Sequence, residues 1–316
     1  MVCNILFVKC GLVLSNKAIK KSVTQLDLSI YIKSLISIMK PRVMSLVVFT
    51  CAVGFLTSNP NLKTFDAIIA IILVALGSGA AGCLNMWYDA DVDALMTRTC
   101  LRPIPTGKIN KGQALIFGIF LTVFSVGALN YFSNFLSAFL LFFTIAFYIF
   151  VYTIWLKRKT PQNIVIGGIA GSLPPVIGWT IATNSISLAS ISLFLIIFFW
   201  TPSHFWALSL YKVDDYRKAK IPMMPLTDGI EKTKFYILIY SLLMLPVIIL
   251  PFAINFSGLI YLIPVMMLTI YYNYICYDLY KHKKNKFVLK KAKKVFSYSI
   301  LYLFIIFVLF LVDNLI

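Results

Sequence analysis

The sequence predicts an all-α polytopic membrane protein, with about nine transmembrane helices around a central cavity open to the cytoplasmic side. Three observations predict it. Of 316 residues, 60% are hydrophobic and only 13% charged, with mean hydropathy +0.89, whereas a soluble domain carries roughly a quarter charged residues. Apolar runs of about 20 residues recur along the chain, each long enough to cross a hydrocarbon core of about 30 Å. The basic residues, finally, fall almost entirely on one side of a nine-span arrangement. The apolar runs are far longer than barrel strands, so helices are the one spanning structure left that satisfies its own backbone in lipid.

The spans read 43–58, 66–88, 114–131, 135–155, 163–182, 187–210, 235–254, 257–277 and 296–315. With nine of them, the N-terminal segment and alternate loops share a side. Lys and Arg there number seven before residue 43, four in 89–113, three in 156–162, six in 211–234 and eight in 278–295. Only Lys63 lies opposite. One span more or fewer would scatter this split, so it supports both the count and the orientation. The basic side, with the N-terminus, is cytoplasmic. Residues 1–42 form a basic cytoplasmic segment and residues 43–316 one nine-helix membrane domain. A bacterial inner membrane is favoured over a mitochondrial one, because the N-terminal segment is Lys-rich rather than an Arg-rich transit peptide.

The formal charge of +18 therefore follows from topology and attraction for the lipid bilayer, and implies no nucleic acid. The run KHKKNKFVLKKAKK, residues 281–294, reads as a cytoplasmic anchor. Six cysteines (3, 10, 51, 83, 100 and 276) include no CxxC and read as small apolar packing residues.

Chemistry is expected where the few acids gather. NMWYDADVD, residues 85–93, holds three of the eleven Asp and Glu residues at the cytoplasmic end of the second span. On a helix Asn85, Asp89 and Asp93 follow at i, i+4 and i+8 and form one polar stripe, while Asp91 faces elsewhere. A second cluster, YKVDDYRKAKIPMMP at 211–225, ends the sixth span on the same side. Carboxylates this close repel unless a cation sits among them, and oxygen-only ligands select a hard ion such as Mg²⁺. Arg98, Arg102 and Lys108 lie beside the first cluster, and Arg217, Lys218 and Lys220 beside the second. Acids to hold metals and bases to hold an anion together suit a diphosphate. A solvated cap at a span end is the plainer alternative for each cluster taken singly.

His204 lies within the sixth span in SHFWAL, and a polar residue at membrane depth is a functional candidate. Eleven residues on, an unbroken helix would put Asp215 on the same face, roughly 16 Å away in depth. GGIAGSLPPVIGW, residues 167–179, predicts close packing at Gly167 and Gly171 and a helix break at Pro174 and Pro175. A transporter is the alternative from another class, but it would carry its charges near the bilayer midplane.

NMWYDADVDALMTRTCLRPIPTGKI (85–109), VYTIWLKRKTPQNIVIGGIAGSLPPVIGW (151–179) and TPSHFWALSLYKVDDYRKAKIPMMP (201–225) resemble the intramembrane aromatic prenyltransferase superfamily. They are most similar to its haem-farnesylating branch, over about residues 35–315. The resemblance implies that Asn85, Asp89 and Asp93 bind the Mg²⁺ of a prenyl diphosphate and that Asp215, with Asp214, binds a second Mg²⁺. It implies that Tyr152, Lys157, Arg158, Arg98, Arg102, Lys108 and Lys218 receive the diphosphate, and that His204 meets a porphyrin. Farnesyl diphosphate and haem B would then be the substrates, with Asp89, Asp93 and Asp215 catalytic. Met86 stands where many relatives outside this branch carry an acid, which argues against a quinone-precursor acceptor. The second cluster lacks a DxxxD, since Lys218 and Ala219 follow its two aspartates at i+4. Whether a haem A synthase docks to receive the product is left open by the sequence.

Overall fold

The computed structural model describes residues 28–316 apart from Asn61 and Lys284, and every described element is helical. Cys3, Cys10 and the basic residues before 28 lie outside this range. The chain runs through α1 (Leu28–Ile38), α2 (Pro41–Leu56), α3 (Thr64–Tyr88), α4 (Ala90–Leu95), α5 (Lys111–Phe132) and α6 (Phe135–Ala146). A π-helical stretch, Phe147–Leu156, continues α6. Then follow α7 (Asn163–Ser172), α8 (Pro174–Thr183), α9 (Leu188–Tyr211), α10 (Val213–Lys218), α11 (Met224–Thr227), α12 (Ile230–Ala253), α13 (Leu259–Lys281) and α14 (Asn285–Leu315).

Among the described residues eight helical segments are long and apolar enough to span a membrane, and a ninth arises if α1 and α2, bent by 54°, count as one. These agree with the spans read from the sequence. The bend sits at Lys40, which adopts the left-handed conformation (φ 58°) immediately before Pro41. A residue before proline is disfavoured in the right-handed helical region, so the helix cannot run straight through. At the far end of the bundle, where Lys63 lies, polar caps start the helices cleanly. Asn134 accepts from the Ser137 amide and Ser187 from the Ser190 amide.

Helices pack pairwise around the bundle, and α14 closes it by returning to α2. One apolar core joins α9, α12, α13 and α14, and a second joins α2, α3, α6 and α8. The α2–α8 crossing is the tightest. A Cβ on Gly54 would collide with the Pro175 carbonyl, and one on Gly178 with the Cys51 carbonyl. Without a hydrophobic driving force between helices in lipid, such close backbone contact is what holds them. Gly167 likewise backs onto the Tyr152 ring, but Gly171 faces open space. The small-residue face expected at 167 and 171 is therefore packed at its first glycine only. The break at Pro174 is present, at Leu173. Cys51, Cys83, Cys100 and Cys276 are buried, as packing residues should be.

Candidate active site

At the basic end of the bundle the end of α3 runs into the first acid cluster. Asp89 interrupts the helix between α3 and α4, yet its amide still bonds the Asn85 carbonyl (2.9 Å) and the Asp93 amide bonds the Asp89 carbonyl (2.8 Å). The i, i+4 register survives the interruption. Asn85 Nδ2 accordingly donates to Asp89 Oδ2 at 2.9 Å. Asn85, Asp89 and Asp93 are all buried. Asp91 points away, exposed, and takes a two-pronged contact from Arg158 at 2.8 and 2.9 Å. That guanidinium holds the Asp91 carboxyl below the usual carboxylate range.

The bases converge on the buried acids. Lys157 Nζ pairs with Asp89 Oδ2, and Arg158 Nη2 lies 3.6 Å from Asp89 Oδ1. Arg102 Nη1 donates to Asp93 Oδ2 at 2.7 Å. Buried charges are expected to be paired in this way. The π-helical stretch is what aims Lys157. Its wider turns bond the Lys157 amide to the Tyr152 carbonyl five residues back, and a π-turn inside a helix often marks a functional site. Thr153, on the same stretch, accepts from Asn85 Nδ2 at 3.0 Å. Tyr152 stacks on Tyr148 at 5.2 Å, within electrostatic reach of Asp89 and Arg98.

The second cluster joins the first through one hydrogen bond. Thr97 Oγ1, four residues beyond Asp93, donates to Asp215 Oδ1 at 2.7 Å. Asp215 is buried, and around the neighbouring Tyr216 lie Arg98, Tyr152 and Lys157 as well. Asp214 is placed outward instead: exposed, on the surface of α10, it pairs with Arg217 at 2.7 Å. Successive helical residues point about 100° apart, so two adjacent aspartates cannot both face the site. Lys108 and Lys218 are exposed on the loop and at the end of α10.

His204 sits apart from the acids. Its ring is stacked between Trp200 (4.2 Å) and Phe296 (4.7 Å), with Nδ1 2.6 Å from Ser299 Oγ. The helix carrying it ends at Tyr211, and α10 restarts at Val213, so no unbroken helix carries both His204 and Asp215.

Two site residues escape the sequence reading. Lys40 Nζ donates to Asn85 Oδ1 at 2.5 Å, brought there because Gly82 lets Met39 and Lys40 lie against α3. The signal was a basic residue directly before a proline at a span's start. Thr97 had no comparable mark.

Two buried carboxylate oxygens, Asp89 Oδ1 and Asp215 Oδ2, have no hydrogen-bond partner. Among the described residues no three His, Cys, Asp or Glu side chains gather into a metal cluster. Mg²⁺ does not require one, because it binds through one or two carboxylates plus water and phosphate oxygens. Hard, unpartnered oxygens beside bases fit a metal that arrives with a diphosphate.

Residues 46–301 match the UbiA prenyltransferase family. The chain is 72% identical over 280 residues to a protoheme IX farnesyltransferase of Pelagibacter ubique, covering 89% of this chain and 92% of that protein. It is 50% identical to protoheme IX farnesyltransferase 2 of Mesorhizobium japonicum, covering 88% of each. Its fold is similar to that of a digeranylgeranylglyceryl phosphate synthase, with TM-score 0.75 and 18% identity, over 90% of this chain and 98% of that one. A UbiA homolog from Archaeoglobus fulgidus bound to DMAPP and Mg²⁺ superposes with TM-score 0.64 and 17% identity, over 87% and 99%. The chain belongs to the UbiA prenyltransferase family.

Proposed function

We propose that this chain carries out the haem O synthase reaction, that of a protohaem IX farnesyltransferase. It transfers the farnesyl group of farnesyl diphosphate to a vinyl group of haem B, with addition of water, and releases haem O and diphosphate. One observation carries the reading. The two acid segments meet through Thr97 and Asp215, with Arg98 and Lys157 in electrostatic reach of the adjacent Tyr216, in a chain 72% identical to a protoheme IX farnesyltransferase.

In this reading Asn85, Asp89 and Asp93 would hold one Mg²⁺ and Asp215 a second, while exposed Asp214 pairs with Arg217 instead. Bound there, the metals would screen the charge of the diphosphate. Lys157, Arg158, Arg102 and Arg98 stabilise the negative charge that develops on the departing diphosphate as the C1–O electron pair moves to oxygen. Fixed cations of this kind, aimed where charge develops, are typically the largest catalytic contribution. The vinyl carbon of haem B then forms the new bond to C1. Water takes the resulting cation, and its proton leaves to solvent. Tyr152 and Tyr148 would offer aromatic faces to the cation that develops at C1.

His204 is assigned a haem contact through Nε2. Ser299 Oγ donates its own proton to the Phe296 carbonyl at 2.7 Å, so towards His204 it acts as acceptor. Nδ1 therefore carries the imidazole proton, and Nε2 keeps its lone pair for a metal or a hydrogen bond. The positive-inside rule supports a cytoplasmic basic end, and the bacterial relatives support a bacterial inner membrane. A haem A synthase is the proposed recipient of the product.

The test is a product assay on membranes containing the protein, supplied with haem B, farnesyl diphosphate and Mg²⁺. Mass spectrometry should find a haem heavier by a farnesyl group plus water, absent with EDTA. Prenylation of 4-hydroxybenzoate without any new haem would overturn the acceptor.

A further inference from the structure

At the basic end of the α13–α14 pair lies a cavity of about 580 Å³, lined by His282, Phe287, Lys290, Lys291, Lys293, Lys294 and Ser297. Four lysines share it, and one acid answers them. Asp278 pairs with Lys291 and, through its carbonyl, accepts from His282 Nδ1 at 2.6 Å. Lys294 lies 5.5 Å over the Tyr271 ring. Lys290 and Lys293 have no acidic partner among the described residues. The site thus holds more positive charge than its own side chains balance.

The cavity is separate from the candidate active site. Ser299 and Phe296 face His204, whereas Lys290 is nine residues before Ser299, about half a turn round the helix. Topology requires basic residues at this end of the protein, but it does not require four of them to converge on one cavity.

What lies next to the lysines defines the ligand. One turn beyond Ser297 on the same face is exposed Leu301, and exposed Tyr271 of α13 meets Tyr298 of α14 edge to face at 5.0 Å. Cations at the water edge, then aromatic rings, then aliphatic surface is the polarity sequence of a lipid, read from headgroup to chain. A soluble anion would use the first part alone. We propose that this cavity binds the headgroup phosphate of an acidic phospholipid, with its acyl chains along the α13–α14 groove. The proposal is independent of the assigned reaction.

Native mass spectrometry of the full chain in detergent tests it, with phosphatidylglycerol, phosphatidylcholine and inorganic phosphate as separate probes. Phosphatidylglycerol should be retained and phosphatidylcholine not. The pair Lys290→Gln and Lys293→Gln should weaken retention roughly 30-fold, from about 1 kcal/mol for each lysine near the surface. Arginine at both positions should preserve it. A control pair with the same loss of charge elsewhere, Lys33→Gln and Lys63→Gln, should leave it unchanged. Equal retention of both lipids, equal loss in the control pair, or phosphate binding as tightly as phosphatidylglycerol would each overturn the proposal. The comparison of the two lipids on the unaltered chain decides the matter even if a variant fails to fold.

Discussion

Lys157 and Arg102 are already engaged with Asp89 and Asp93, and the assigned reaction needs all four for other partners. Mg²⁺ entering alone would take the carboxylates and strand two cations. A diphosphate entering alone would take the cations and strand two carboxylates. Asp89 and Asp93 side chains are 1% and 4% exposed, and Lys157 and Arg102 only 15% and 24%, so stranded groups find little water. Removing one partner of a buried pair costs about 3–5 kcal/mol. The lower figure suits bases with some solvent access, and it corresponds to roughly 100-fold in affinity. Mg²⁺ and a farnesyl diphosphate analogue with a non-cleavable C1 linkage should therefore each tighten the other's binding about 100-fold, by the same factor in both directions. Isothermal titration of each, with and without the other, measures this coupling. An Mg²⁺ affinity unchanged within threefold by the analogue would refute the exchange of partners.

The other predictions concern single residues. Asp215→Asn should lower kcat by about 10²–10³, while Asp214→Asn, exposed and paired only with Arg217, should stay within threefold in the same assay. Gly178→Ala should lower the unfolding midpoint by the equivalent of about 1–3 kcal/mol, because the added methyl meets the Cys51 backbone and overpacking costs that much. Gly171→Ala, facing open space, should leave the midpoint unchanged. Ser299→Ala should remove the acceptor that fixes the His204 tautomer and alter the absorption spectrum of bound haem, with Ser299→Thr restoring it.

The fold was legible because its two signals are cumulative. Apolar run length and one-sided charge each average over many residues, so the spans read from 66–88 to 257–277 lie within about five residues of the helices, whereas α14 begins at Asn285, eleven residues before the start read at 296. Asn85, Asp89 and Asp93 were legible because a 3.6-residue period survives the interruption at Asp89. What escaped depended on local geometry without a periodic mark. No apolar pattern distinguishes the π-helical turns at 147–156 that aim Lys157. The choice between Asp214 and Asp215 turned on where a short new helix begins after Lys212, which charge alone does not determine. Lys40 counted as one more basic residue of the N-terminal segment until the bend at Pro41 carried it to Asn85. Thr97, the link between the two clusters, is an ordinary loop residue in the sequence.

The central claim is that two distant acid segments serve one diphosphate. Mn²⁺ in place of Mg²⁺, counted by electron paramagnetic resonance with the farnesyl diphosphate analogue bound, tests it most directly. The account predicts two ions per chain, and one in each of Asp89→Asn and Asp215→Asn. An Asp215→Asn protein that still holds as many ions as the unaltered chain would contradict it.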